Sequence, residues 1–292
     1  MQVTQLGYGS MGLRGPNTWG VRVVGDGDAE RMLHAVLDAG INFIDTAPDY
    51  GAAEERIGRY LSARRDEFYL ATKCGCDYMQ HADHIEIRHH FTPEVVRRNL
   101  ETSLRRLQTD YVDVLQFHGG SADDLLRDGL IELLEAFRQQ GRIRHLGVSS
   151  SLPQLEGMVA LGVFESYQIL YSCLEPQHDA LLRRVAERGA GVIIRGGIGK
   201  GGPEAEIQRE TINQVWQRAR LDELREPEMS PAELILRFTL SHPACHTTIV
   251  GTANPGHLAE NIRAAEKGPL PGELVGEINR RVGEVLKLSP PT

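Results

Sequence analysis

The sequence predicts an α/β protein: a closed (β/α)8 TIM barrel, a single domain over 1–292, with an extra C-terminal helix. Three observations predict it. Strand-like and helix-like patterns alternate along the whole chain and pair eight times. No linker, composition break or short exact repeat interrupts them. A length of 292 residues is ordinary for one such barrel. A doubly wound open sheet is the alternative. Its fingerprint would be Gly7-Tyr8-Gly9-Ser10-Met11-Gly12. That segment runs on into Leu13-Arg14-Gly15-Pro16-Asn17, which cannot continue the helix the fingerprint must open. These glycines are therefore read as a turn region after a first strand ending near Leu6.

The elements follow in order. Residues 29–39 place Met32, Leu33, Val36 and Leu37 at helical spacing, and Gly40 closes that helix. A strand over Ile41–Asp45, a helix over Glu54–Ala63 and a strand over Phe68–Thr72 come next. Thr92-Pro93-Glu94 supplies an N-cap, a first-turn proline and an acid at the positive dipole end. Val96, Leu100, Leu104 and Leu107 then form one apolar stripe. The alternation continues with strand 111–117, helix 131–140, strand 145–148, helix 152–161, strand 167–170, helix 181–188 and strand 191–194. A long connector is expected from Gly196 to about Met229. Ser230-Pro231-Ala232-Glu233 has the capping-box pattern and opens a helix through Leu240. Strand 247–250, helix 257–265 and the extra helix 273–286 complete the chain.

Composition narrows the function. Hydrophobic residues at 41% and charged residues at 25% exclude long disorder, collagen-like sequence and a disulfide scaffold. With Lys+Arg at 32 and Asp+Glu at 40, the net charge of −8 argues against a nucleic-acid partner. The N-terminus has neither the basic start nor the apolar run of a signal peptide. No stretch approaches the roughly 20 apolar residues of a membrane span. A cytoplasmic protein with no membrane association is expected. Cys74-Gly75-Cys76 has one intervening residue where zinc sites usually have two to four, so no metal is expected. His81, His84, His89 and His90 cluster after the third strand and are read as a solvated loop, with metal binding the minor alternative. Trp19 and Trp216 are placed in loops, as pocket walls or as packing. Oligomeric state has no signal in the sequence.

Functional residues of such a barrel sit at the C-terminal strand ends. There the chain delivers Asp45 with Asp49 and Tyr50 close behind, then Thr72-Lys73, His118, Ser149-Ser150 and Gln168. An acid, a phenol, an amine and an imidazole thus converge on one mouth.

In these segments the chain resembles the aldo-keto reductase family. The matching motifs are Asp45-Thr46-Ala47-Pro48-Asp49-Tyr50-Gly51, Ala71-Thr72-Lys73, Gln116-Phe117-His118, Gly147-Val148-Ser149-Ser150, the Gln168 strand and Gly251 to Asn261. Ser103-Leu104-Arg105-Arg106-Leu107 and Thr109-Asp110-Tyr111-Val112-Asp113 add to them. The resemblance runs from about residue 3 to 286. It implies an NAD(P)H-dependent oxidoreductase acting on a small-molecule carbonyl or alcohol. Tyr50 would be the general acid–base, Lys73 and Asp45 would tune it, and His118 would orient the substrate. The lysine is expected to make the tyrosine proton mobile near neutrality.

The same resemblance implies an extended nicotinamide dinucleotide. Ser149, Ser150 and Gln168 would hold its carboxamide side, and Arg195 would stand where relatives stack an aromatic ring. Gly197, Gly199 and Lys200 would pass the pyrophosphate, and Ser10 and Met11 would also touch the cofactor. Gly251, Thr252, His257, Glu260 and Asn261 match the adenosine-phosphate segment. Many relatives carry an arginine where this chain has His257, and Arg263 lies about 240° round the helix from it. NADP(H) is the expected cofactor, with NAD(H) the alternative. No long flap follows Leu286, which points to an open pocket and small or sugar-like substrates. The rival readings are a nucleotide-binding redox-sensing regulatory subunit of the same fold and a metal-dependent barrel hydrolase.

Overall fold

The structure, a computed structural model, describes residues 1–16, 23–80, 85–205 and 210–287. Among these residues ten strands form: β1 Leu6–Gly9, β2 Phe43–Asp45, β3 Tyr69–Cys74, β4 Cys76–Gln80, β5 Ile85–His89, β6 Val112–His118, β7 Ile143–Ser150, β8 Ser166–Leu170, β9 Gly191–Arg195 and β10 Thr247–Val250. Eight of them close a parallel barrel in the order β1-β10-β9-β8-β7-β6-β3-β2. The expected (β/α)8 architecture is therefore present, and the open sheet is excluded. The other two, β4 and β5, pair antiparallel with Cys76 opposite His89. No helix among the described residues is long and apolar enough to cross a membrane.

The helices sit where periodicity and caps place them. Thr92 caps Pro93–Leu107, accepting a hydrogen bond from the Val95 amide, and Ser230 caps Pro231–Leu240 through the Glu233 amide. Val96, Leu100 and Leu107 are buried, so the stripe faces the barrel. The extra helix runs over Gly272–Lys287 and buries Ile278, Val282 and Val285.

Inside the barrel, alternation along each strand sorts side chains into layers. Phe43, Ala71, Val114 and Ile193 form an apolar plug towards the N-terminal end, with Ile249 against it. Two residues further along the same strands come Asp45, Lys73, Gln116 and Arg195. The polar set thus rests on a packed floor.

Four expectations are corrected. Gly7 and Gly9 lie within β1 rather than in a turn. A Cβ on Gly7 would come within 3.0 Å of Phe43 and 3.1 Å of Ile249, so glycine is there because the barrel interior is full. The 76–91 segment is built on β4 and β5 rather than on loop. The connector 196–229 contains a helix, Glu210–Arg218. Trp216 lies in that helix, fully buried, with its indole N–H donating to Asp222 at 2.8 Å; it is core, not a pocket wall. Trp19, His81 and His84 lie outside the described residues.

Candidate active site

Five strands assemble the centre of the site. Asp45, at the end of β2, is almost fully buried, and Lys73 on β3 is fully buried. Lys73 Nζ donates to Asp45 Oδ2 at 2.8 Å and to the Thr46 carbonyl at 2.8 Å. The other oxygen, Asp45 Oδ1, accepts from Gln116 Nε2 and Gln168 Nε2, each at 2.7 Å. Ser149 Oγ then donates to Gln168 Oε1 at 2.7 Å. Asp45 thus accepts three side-chain hydrogen bonds, one of them from a cation, as a buried charge requires.

Tyr50 follows a tight turn in which its amide donates to the Ala47 carbonyl at 3.1 Å. The turn folds the phenol back over the mouth, and Lys73 Nζ lies 4.7 Å from its ring centroid. Burial pushes the Tyr50 hydroxyl up to about 12, against the opposing pull of Lys73. Desolvation outweighs the pull of the ammonium there, which favours the neutral phenol. Burial also works against the charge on Lys73, but Asp45 first, then Tyr50 and Asp49, hold its pKa above the ordinary lysine value. The lysine remains an ammonium.

His118 ends β6 beside Ser149 of β7. Burial, then Lys73, His89 and Arg195, hold its imidazole well below the ordinary histidine value, so it is neutral. Its Nδ1 faces three groups: Cys76 Sγ at 3.1 Å, His89 Nε2 at 3.3 Å and Asp49 Oδ2 at 3.7 Å.

The residues expected at a cofactor lie along one arc of the rim. In barrel order β7, β8, β9, β10 and β1 are consecutive neighbours. They present Ser149 and Ser150, Gln168, Arg195, Gly251 and Thr252, and Ser10 and Met11 respectively. Ser149, Ser150 and Gln168 are buried. Arg195 donates to Ser151 Oγ at 2.6 Å, which fixes its guanidinium over β7. Ser10 is buried and its Oγ has no partner among the described residues, while Met11 is exposed. Tyr8 donates to the Thr252 carbonyl at 2.7 Å and so ties this lip to the β10 loop.

The glycine-rich stretch is a structured turn. Gly199, Lys200, Gly201 and Gly202 all have positive φ. Gly197 is packed so closely that a Cβ would lie 2.2 Å from Thr248 Oγ1. Lys200 Nζ sits 3.8 Å from Glu175, which offsets its charge. Beyond β10, Asn254 caps helix Pro255–Glu266 through the Gly256 amide. His257 and Glu260 are exposed on its first turns, and Asn261 is buried.

Sequence reasoning gave Gln116 and Asp49 no role of their own, set Cys76 aside as a metal ligand and read His89 as part of a solvated loop with metal binding the minor alternative. Gln116 was within reach: it stands two residues before His118 on an inward-facing strand, so both point into the barrel. His89 and Cys76 meet only because β4 pairs with β5.

Comparison with known proteins gives a consistent picture. The model of the family described as "Aldo/keto reductase family" matches residues 5–281. The L-galactose dehydrogenase of Arabidopsis thaliana is 28% identical over 289 residues, covering 90% of this chain and 85% of that protein. The D-threo-aldose 1-dehydrogenase of a Pseudomonas species is 26% identical over 300 residues, covering 91% and 90%. The solved structure of aldo-keto reductase AKR11C1 from Bacillus halodurans, in its holo form, superposes with a TM-score of 0.81 at 29% identity, covering 96% and 92%.

Proposed function

The chain belongs to the aldo-keto reductase family of oxidoreductases, which use nicotinamide cofactors, and from that premise we propose that it reduces an aldehyde or ketone, or oxidises the matching alcohol, with Tyr50 as general acid–base. The observation that carries this reading is the fully buried Lys73–Asp45 pair at 2.8 Å, set beneath Tyr50 and beside neutral His118. When bound, a reduced nicotinamide supplies a hydride to the carbonyl carbon. The oxygen left behind then needs a proton, and Tyr50 is the donor aimed at the mouth. A phenol held up at about 12 keeps that proton at neutral pH until charge develops on the oxygen. Lys73 stabilises the phenolate so formed, and Asp45 keeps Lys73 in place. Neutral His118 orients the carbonyl by a hydrogen bond.

The rim suits an extended dinucleotide. Its polar groups occupy consecutive strand ends, and the buried Ser10 hydroxyl has no partner among the described residues. Ser149, Ser150 and Gln168 hold the carboxamide side in this reading, with Arg195 alongside, and the 197–200 turn lies along the pyrophosphate. Gly251, Thr252, His257, Glu260 and Asn261 receive the adenosine end, where the N-terminal amides of helix Pro255–Glu266 favour a phosphate. NADP(H) is the proposed cofactor and NAD(H) the alternative. The relatives named for L-galactose and D-threo-aldoses favour small hydroxylated aldehydes or lactol-forming sugars as the substrate class.

The test is a fluorescence titration with NADPH and NADH in parallel, followed by turnover on a panel of small aldehydes and sugars. Saturable NADPH binding with cofactor-dependent turnover is expected. Binding without turnover on any carbonyl would instead favour a redox-sensing subunit, and binding of neither nucleotide would overturn the reading.

A further inference from the structure

Four side chains from four separate segments point their donor atoms at one spot on the rim. Asp49 comes from the turn after β2, Cys76 starts β4, His89 ends β5, and His118 ends β6. His118 Nδ1 lies 3.1 Å from Cys76 Sγ, 3.3 Å from His89 Nε2 and 3.7 Å from Asp49 Oδ2. His89 Nε2 lies 3.9 Å from Asp49 Oδ2, and all four donor atoms fall within 4.8 Å of one another.

Hydrogen bonding alone does not explain this crowding. A neutral imidazole nitrogen carries one proton or one lone pair, so Nδ1 of His118 can satisfy one of its three neighbours. A cation in the middle satisfies all four at once. Tetrahedral zinc with ligand bonds of about 2.0–2.3 Å has ligand-to-ligand edges of about 3.3–3.8 Å. The four pair distances, 3.1–3.9 Å, lie within about half an ångström of the edges for their donor types, and no pair exceeds 4.8 Å. A second observation concerns the carboxylate itself: Asp49 is more than nine-tenths buried, its Oδ2 faces both histidines, and its Oδ1 has no hydrogen-bond partner among the described residues, so the group lies in the interior without the donors a buried carboxylate needs.

The supporting structure holds the four in place. Asn99 Nδ2 donates to the Cys76 carbonyl at 2.7 Å, and the His90 amide donates to the Gly75 carbonyl at 2.9 Å. Phe91 packs so closely on Gly75 that a Cβ there would lie 2.3 Å from the ring. We infer that Asp49, Cys76, His89 and His118 form a tetrahedral site for a divalent transition metal, Zn²⁺ by its mixed O, S and N donors. The short Cys74-Gly75-Cys76 spacing argued against a metal because it counted both thiols; Cys74 is turned into the hydrophobic core and takes no part. A metal on Nδ1 leaves the proton of His118 on Nε2, so occupancy selects one tautomer of that ring. The inference rests on donor geometry and stands whether or not the chain is a carbonyl reductase.

The test is direct binding of Co²⁺ alone to the full chain after chelator dialysis, read by visible and near-ultraviolet absorption. One equivalent of tetrahedral Co²⁺ with a thiolate-to-metal charge-transfer band is expected, displaced by Zn²⁺. Cys76→Ser should abolish the charge-transfer band. His89→Ala, at a substantially exposed side chain and so safe for folding, should weaken binding about tenfold or more. Absence of binding, or binding that survives either substitution undiminished, overturns the site. Neither readout depends on turnover, so failure here leaves the reductase reading intact.

Discussion

At the scale of single residues, the site is decided by desolvation and by how each buried charge is matched. Lys73 and Asp45 are 0% and 1% exposed, so neither can lose its partner to water. Lys73→Met leaves Asp45 as a buried carboxylate with two amide donors and no cation. Loss of about 3–5 kcal/mol is expected in chemical denaturation, together with loss of turnover. A second prediction concerns His178, whose Nε2 accepts the Leu152 amide at 3.1 Å while its buried Nδ1 has no partner among the described residues. Burial, then Arg195, holds its pKa below the ordinary histidine value. A depressed folded-state pKa gives stability that is present above about pH 6.5 and lost as pH falls below it. His178→Gln keeps the acceptor and removes the titration, so the fall of Tm between about pH 7 and 5 should become shallower. His118 and His242, both also lowered by burial, contribute to the same fall. An unchanged slope would count against this account. The placement of Asp45, Tyr50, Lys73 and His118 at one mouth was legible in the sequence because three stand at or near the ends of recognisable strands and Tyr50 follows one closely. The burial that raises the Tyr50 hydroxyl was not, because the closed barrel supplies it.

At the scale of elements, local pattern was a good guide wherever one face is buried and one exposed. The helices at 93–107 and 231–240 were readable from a cap and a stripe. The β4–β5 pair was not: Ile85-Glu86-Ile87-Arg88 does alternate, but its partner Cys76-Asp77-Tyr78-Met79-Gln80 is mixed and four histidines nearby read as loop. It is fixed by cross-strand pairing and by Arg98 donating to Asp77 at 2.6 Å. Close approach between helices gives another prediction. Gly58, in helix Ala53–Leu61, faces the end of helix Pro93–Leu107 so tightly that a Cβ would lie 2.1 Å from the Arg106 carbonyl oxygen. Alanine gains about 1 kcal/mol of helix propensity over glycine. The obstruction is backbone, however, so one helix must move, at a cost of about 1–3 kcal/mol or more. Gly58→Ala should therefore lower the unfolding free energy, measured by denaturant titration, and a stabilised variant would show that this contact is looser than described.

At the scale of the whole molecule, the barrel separates stability from chemistry along its axis. An apolar plug of Phe43, Ala71, Val114 and Ile193 fills the N-terminal half, and the titratable set stands on it at the C-terminal ends. A cavity of about 630 Å³ at the N-terminal end is lined by Val3, Phe43, Tyr167, Ile193 and His246. It lies away from that set, at the end of such barrels that serves stability. The order of strands was legible from the alternation of elements, and with it the convergence of six distant segments on one rim. Cofactor preference was not, since it turns on whether His257 and the helix amides replace an absent arginine. Tighter binding of NADPH than NADH is expected, and His257→Ala should narrow the gap. The measurement that bears most directly on the central claim is turnover of Tyr50→Phe, with cofactor affinity measured on the same preparation. The account predicts a loss of about 10²–10⁴-fold in turnover at unchanged cofactor affinity. Turnover close to that of the parent protein would contradict it, because the only phenol set over the Lys73–Asp45 pair among the described residues would then not be the proton donor.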